Sequence, residues 1–156
     1  MKWAEYDVDM LLRERAYIDT AIIPLIPVSY LDELKQTVLA GEYILSVANE
    51  LENKFKGRMM LFPPFTYLTS EAKISKVERV RQWVNEATSG GSKHVLLLTS
   101  DSIWSELGST FKGELITLPT ISEVNTDVHL TKKFVTDQIN DLSSKIMELW
   151  RTDSIK

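Results

Sequence analysis

The chain has 156 residues, of which 44 % are hydrophobic and 26 % charged, and its formal net charge is −4. That length fits one domain with a packed core of its own, without disulfide or metal staples. The acidic balance argues against a protein whose main task is neutralising phosphates, and the absence of Cys excludes disulfides, zinc–thiolate sites, iron–sulfur clusters and thiol nucleophiles.

Met1 to Arg15 reads as a short helix with Tyr6, Met10 and Leu11 on its apolar face. Ile18 to Pro27 is rich in apolar and β-branched residues and reads as a buried strand. Pro24 inside it lacks a ladder donor, which calls for an edge position or a bulge. Ser29 then stands where a cap belongs, before a long helix with Leu31, Leu34, Val38, Leu45, Ala48, Leu51 and Phe55 on its stripe. Gly41 falls on that stripe and marks either a break or a close approach to the sheet. Gly57 closes the segment.

Arg58 to Phe62 reads as a second strand, stopped by Pro63-Pro64, and the loop from Pro63 to Thr69 carries Phe65, Thr66 and Tyr67. Ser70 is placed to cap a helix over Glu71 to Ala87, with Ile74, Val77, Val80, Val84 and Ala87 on one face. Gly90-Gly91 turns the chain into His94 to Thr99, the clearest strand. Ser102 to Leu107 reads as a short helix ended by Gly108, and Glu114 to Leu118 as a fourth strand ended by Pro119. A last helix from Asp127 to Trp150 carries Val128, Val135, Ile139, Leu142, Ile146 and Leu149 at nearly heptad spacing.

Strands alternating with helices predict an α/β fold over residues 1–156 as a single domain. The expected architecture is a three-layer sandwich of Rossmann or flavodoxin-like type. Its small, mostly parallel four-stranded sheet has the expected order 2-1-3-4, with helices on both faces. Such sheets bind ligands outside the carboxyl ends of their strands, at the switch point. The residues expected there are Ser29 and Tyr30, then Thr66 and Tyr67, then Ser100 and Asp101, then Thr120. His129 at the start of the last helix completes the set. Hydroxyls and rings suit a small polar pocket. The same residues serve equally as helix caps and as packing over the sheet end.

No dinucleotide fingerprint, phosphate loop, zinc-protease motif or nucleophile elbow occurs, so no cofactor and no metal are expected. Gly90-Gly91-Ser92-Lys93 precedes a strand, whereas a phosphate loop follows one. His94 and Ser100 stand roughly 20 Å apart along one strand, too far to act together. His129, Asp101 and a hydroxyl from Ser100 or Ser102 form the one conceivable acid–base set. The leading expectation is a non-catalytic module binding a partner protein or a small ligand. The alternative is a small metal-independent hydrolase or transferase. Lys54, Lys56 and Arg58, and Lys73, Lys76, Arg79 and Arg81, interleave with acids and read as solvated faces, so no nucleic-acid partner is expected. Trp104 and Phe111 are candidate exposed anchors for a partner, and a homodimer is possible. No signal peptide and no membrane span is visible, which makes a soluble cytoplasmic protein the default.

The stretches Asp19-Thr20-Ala21-Ile22-Ile23-Pro24-Leu25-Ile26-Pro27 and Phe62-Pro63-Pro64-Phe65-Thr66-Tyr67-Leu68, together with Met1-Lys2-Trp3, resemble the YpiF family of short proteins from Bacillus-like bacteria. The resemblance spans nearly the whole chain. It implies a cytoplasmic bacterial protein of unknown function and supplies no catalytic residues to carry over. A fainter similarity is to creatininase-type amidohydrolases, which place a metal-binding Glu and His after the first strand. Here Pro27-Val28-Ser29-Tyr30-Leu31 holds neither, so that likeness implies a related fold without the metal chemistry.

Overall fold

The computed structural model describes the backbone of residues 1–107, 112–120 and 128–154. These fall into two compact units, Met1–Ile121 and Ser122–Lys156. The first unit runs α1 (Glu5–Arg13), β1 (Thr20–Val28), α2 (Leu34–Lys54), β2 (Met59–Leu61), β3 (Phe65–Leu68), α3 (Lys73–Ser89), β4 (His94–Thr99), α4 (Ile103–Leu107) and β5 (Glu114–Thr117). The second holds α5 (Val128–Ser154). Its last turns carry an Arg151–Glu148 ion pair at 2.6 Å.

The sheet is parallel in every described pairing, with β2, β1, β4 and β5 in that order. This is an α/β fold of the expected class, with one strand more than expected. The segment after Pro63-Pro64, read from the sequence as a loop, is the strand β3. Phe65 and Tyr67 point inward, and Thr66 and Leu68 outward. β3 continues the edge that β2 begins: Thr20 to Ile22 pair with β2, and Leu25 to Val28 with β3.

That divided edge explains how β1 carries two prolines in the middle of the sheet, against the expectation of an edge or a bulge for Pro24. In a parallel strand, successive residues turn their N–H and C=O groups to opposite sides. Thr20 donates to the Arg58 carbonyl, Ile22 accepts from Phe62, and Val28 accepts from Thr69, so even-numbered residues face the β2–β3 side. The donor that Pro24 lacks therefore faces the gap between β2 and β3, where Pro63 and Pro64 interrupt the ladder. The donor that Pro27 lacks faces the β4 side, beyond the last paired residues Pro24 and Leu98.

Side chains of β1 alternate between two helical layers. Ala21, Ile23 and Leu25 join Val80, Val84 and Ala87 of α3, with Val95 and Leu97 of β4, in one core. Each fully buried Val, Leu or Ile there contributes about 1.5–3 kcal/mol. On the other face, α2 runs unbroken through Gly41. A Cβ at Gly41 would stand 3.2 Å from Ile26 Cγ2, so this glycine marks a close approach to the sheet.

Three local expectations are corrected. The Ser29 hydroxyl accepts from the Leu31 N–H at 3.3 Å and does not cap α2, which begins after Glu33 without a side-chain cap. Ser70 does not cap α3, whose N-cap is Ala72. On α1, Tyr6 and Met10 are exposed, while Asp7 is buried and accepts from the Lys2 N–H at 2.6 Å.

At the amino end of β1, Arg58 forks onto Asp19, with Nε 3.0 Å from Oδ1 and Nη2 3.2 Å from Oδ2. Burial alone would raise the Asp19 carboxyl. The Arg58 and Thr20 hydrogen bonds and the charges of Arg58 and His94 outweigh it and hold the group below its ordinary value. A depressed carboxyl contributes stability above its unfolded-state pKa and loses it as pH falls through the lower folded value. Asp19→Asn is therefore expected to cost about 1 kcal/mol at pH 7. The difference from the parent should close as urea-unfolding curves are taken from pH 7 down through the carboxylate range. A gap that stays constant with pH would contradict the ion-pair account.

Candidate functional site

At the carboxyl edge of the sheet, Tyr67 lies opposite Pro27 in the register, and its phenol reaches past β1 to residues that follow β4. The Tyr67 hydroxyl donates to Asp101 Oδ2 at 2.7 Å. The Trp104 indole and the Thr99 hydroxyl lie against the same phenol oxygen. Asp101 Oδ1 accepts from the Ile103 N–H at 3.1 Å, so this carboxylate also starts α4. The Asp101 N–H donates to Thr99 Oγ1 at 3.0 Å. Burial, and then the hydrogen bond to Asp101, push the Tyr67 phenol well above its ordinary value. Such a phenol stays protonated and donating. A carboxylate with both oxygens engaged is an acceptor held in place. The arrangement ties β3, β4 and α4 together.

Of the eight residues expected at this edge, the structure brings Tyr67 and Asp101 into contact. Ser100 is buried and Ser29 half-buried, while Thr66 and Thr120 are exposed. Tyr30, which could have filled the strand-end pocket, is 89 % exposed. His129 lies in α5, and its side chain is outside the described residues, as is Phe111. Trp104 is fully buried and not an exposed anchor. Its ring stands edge-on to Tyr67 at 5.2 Å. The basic run on α3 is also less solvated than its interleaved acids suggest. Lys76 is 2 % exposed. Its Nζ donates to the Thr69 carbonyl at 3.3 Å and lies 5.2 Å from the centre of the Tyr67 ring.

A second place, which no motif or periodicity marks, lies on the α3 side of the sheet next to β2. The chain start runs along the outer edge of β2: Lys2 bridges to Leu61, and the Leu61 N–H donates to the Met1 carbonyl at 2.7 Å. This sets Trp3 beside Phe62, with ring centroids 5.2 Å apart. Across from them, α3 presents Gln82, Trp83 and Glu86. The groove enclosed by Trp3, Phe62, Pro63 and these three residues has a volume of about 420 Å³. A second hollow of about 180 Å³ continues from it, sharing Trp3, Phe62 and Glu86 and bordered by Leu11, Ile18 and Met60. Trp83 is braced from below by Phe65, edge-on at 5.4 Å. Ring walls with a few polar groups are what binding sites use for contact area and orientation. The signal is hard to see beforehand, because residues 3, 62 and 83 meet only through the fold.

Among the described residues, no group of three or more His, Asp or Glu is placed to hold a metal ion, and no helix is long and apolar enough to cross a membrane. Uncharacterized protein YpiF of Bacillus subtilis (strain 168) is 29 % identical over 153 residues, which span 97 % of this chain and 99 % of that protein. No solved structure matches the chain. The family model described as "Protein of unknown function (DUF2487)" matches residues 9–150, nearly the whole of both units. The chain therefore belongs to this family, alongside the YpiF-like proteins that its Asp19–Pro27 and Phe62–Leu68 stretches resemble.

Proposed function

We propose that the protein is a non-catalytic binding module that takes a partner protein in the groove between Trp3, Phe62 and Trp83. The observation that carries this is the groove itself: three aromatic side chains around about 420 Å³, with no nucleophile–base pair among its walls. The carboxyl-edge residues support the same reading from the other direction. Tyr67 and Asp101 are committed to each other and to the start of α4, which gives them a holding role.

Site-specific photocrosslinking in the host tests the proposal. A benzoylphenylalanine placed at exposed Gln82 is expected to give a discrete protein adduct that disappears when Trp3→Ala is added. The same probe at exposed Tyr30 should give none. Adducts from position 30 alone, unaffected by Trp3→Ala, would move the binding surface to the carboxyl edge and overturn the proposal.

A further inference from the structure

The geometry points to a ligand class, and this inference rests on the groove reading above: we infer that the groove receives an arginine side chain from a partner protein. Aromatic walls with a carboxylate among them select a cation, which the ring faces attract and the acid neutralises. Glu86 is that carboxylate and borders both hollows. No ion pair to it forms among the described residues. Arg15, which borders the smaller hollow, directs Nε and Nη2 to the Gly90 carbonyl at 3.0 and 2.7 Å. The acid is left for a cation from outside.

The molecule already contains the same recognition, built internally around Arg79, one turn before Trp83 on α3, with a ring from β3 and a carboxylate from the segment before the helix. The Arg79 guanidinium lies 4.7 Å from the centre of the Phe65 ring, and its Nη1 is 2.8 Å from both oxygens of Glu71. Trp83 follows Arg79 by four residues and Glu86 follows Trp83 by three, which puts all of them along one side of the helix. The upper pair repeats the ring-and-carboxylate arrangement without a guanidinium of its own. Arginine suits it better than lysine, because a planar guanidinium stacks on a ring while forking onto a carboxylate. The continuation of the groove past Leu11, Ile18 and Met60 suits an apolar neighbour of that arginine and favours a protein segment over a small cation.

Two dipeptides, acetyl-Leu-Arg-amide and its neutral isostere acetyl-Leu-citrulline-amide, separate the possibilities when titrated into the ¹⁵N-labelled full chain. The arginine peptide is expected to move the Trp3 and Trp83 indole signals and to bind about tenfold more tightly than the citrulline peptide. Glu86→Gln, at an exposed position, should abolish most of that preference without disturbing the rest of the spectrum. Equal binding of both peptides, or a preference unchanged in Glu86→Gln, would overturn the arginine inference while leaving the groove as a binding surface. If neither peptide moves the indole signals and Trp3→Ala leaves the photocrosslinks intact, the groove reading falls as well.

Discussion

Glu52→Ala is expected to destabilise the fold by about 3–5 kcal/mol, because it strands a buried positive charge. Glu52 sits on α2 with no exposed surface, and one carboxylate oxygen lies 2.8 Å from the Met1 ammonium. The same ammonium donates to the Met59 carbonyl at 2.6 Å and the Lys56 carbonyl at 3.3 Å. The ammonium thus has an oxygen near it for each of its three protons, whereas the second Glu52 oxygen is buried without a partner, so the charge of Met1 is the main compensation for burying this carboxylate. Alanine removes the charged acceptor and leaves the ammonium among carbonyls. Glu52→Gln keeps an acceptor of the same shape and should lose less. The consequence reaches the groove, since the anchored Met1 and Lys2 hold Trp3 against Phe62. Urea unfolding at pH 7 gives the stability, and the Trp3 indole signal should collapse toward its random-coil position in the same variant. A loss under about 1 kcal/mol, in the range of exposed pairs, would mean that the ammonium is hydrated.

The frame of the fold was legible because strand and helix periods are local. Ile22 and Ile23 in β1 and Val95 to Leu98 in β4 form apolar runs bounded by turn residues. Gly90-Gly91 turns where expected, with Gly91 at φ 107°. β3 was missed because Pro63-Pro64 reads as a stop, although Phe65-Thr66-Tyr67-Leu68 alternates in and out as a strand should. On α1, the apolar stripe misled. Tyr6 and Met10 face outward because the buried position goes to Asp7, which fastens the Lys2 N–H. The carboxyl-edge set was half legible. Fold analogy placed Tyr67 and Asp101 near the same crevice, but whether a tyrosine lines a cavity or fills it depends on packing against Trp104. The groove was not legible at all. It requires the chain start to join β2, and that contact is made by an ammonium and a buried glutamate 51 residues apart, which no periodicity marks.

The second large effect is expected from Trp104→Ala, at about 3–5 kcal/mol. Trp104 is the largest fully buried side chain at the carboxyl end, edge-on to Tyr67 at 5.2 Å and to Phe65 at 6.5 Å. Truncation removes its transfer free energy and leaves a cavity between β3, β4 and α4. It also takes the indole away from the Tyr67 oxygen, whose remaining neighbours are Asp101 and Thr99. Tyr67→Phe separates the two contributions: it keeps the ring and loses the hydroxyl, for about 1.5–3 kcal/mol, the range of a hydrogen bond to a charged group. An apolar cavity of this kind takes up a matching small molecule, and binding to the folded state alone raises stability by mass action. Millimolar indole should therefore recover part of the lost thermal midpoint in Trp104→Ala and none in the parent. Recovery by indole would show that Trp104 acts by filling the sheet end, with Tyr67 and Asp101 held in place behind it. If the variant is as stable as the parent, then the carboxyl edge is open in solution, and Asp101 and its neighbours return as the first place to look for a ligand.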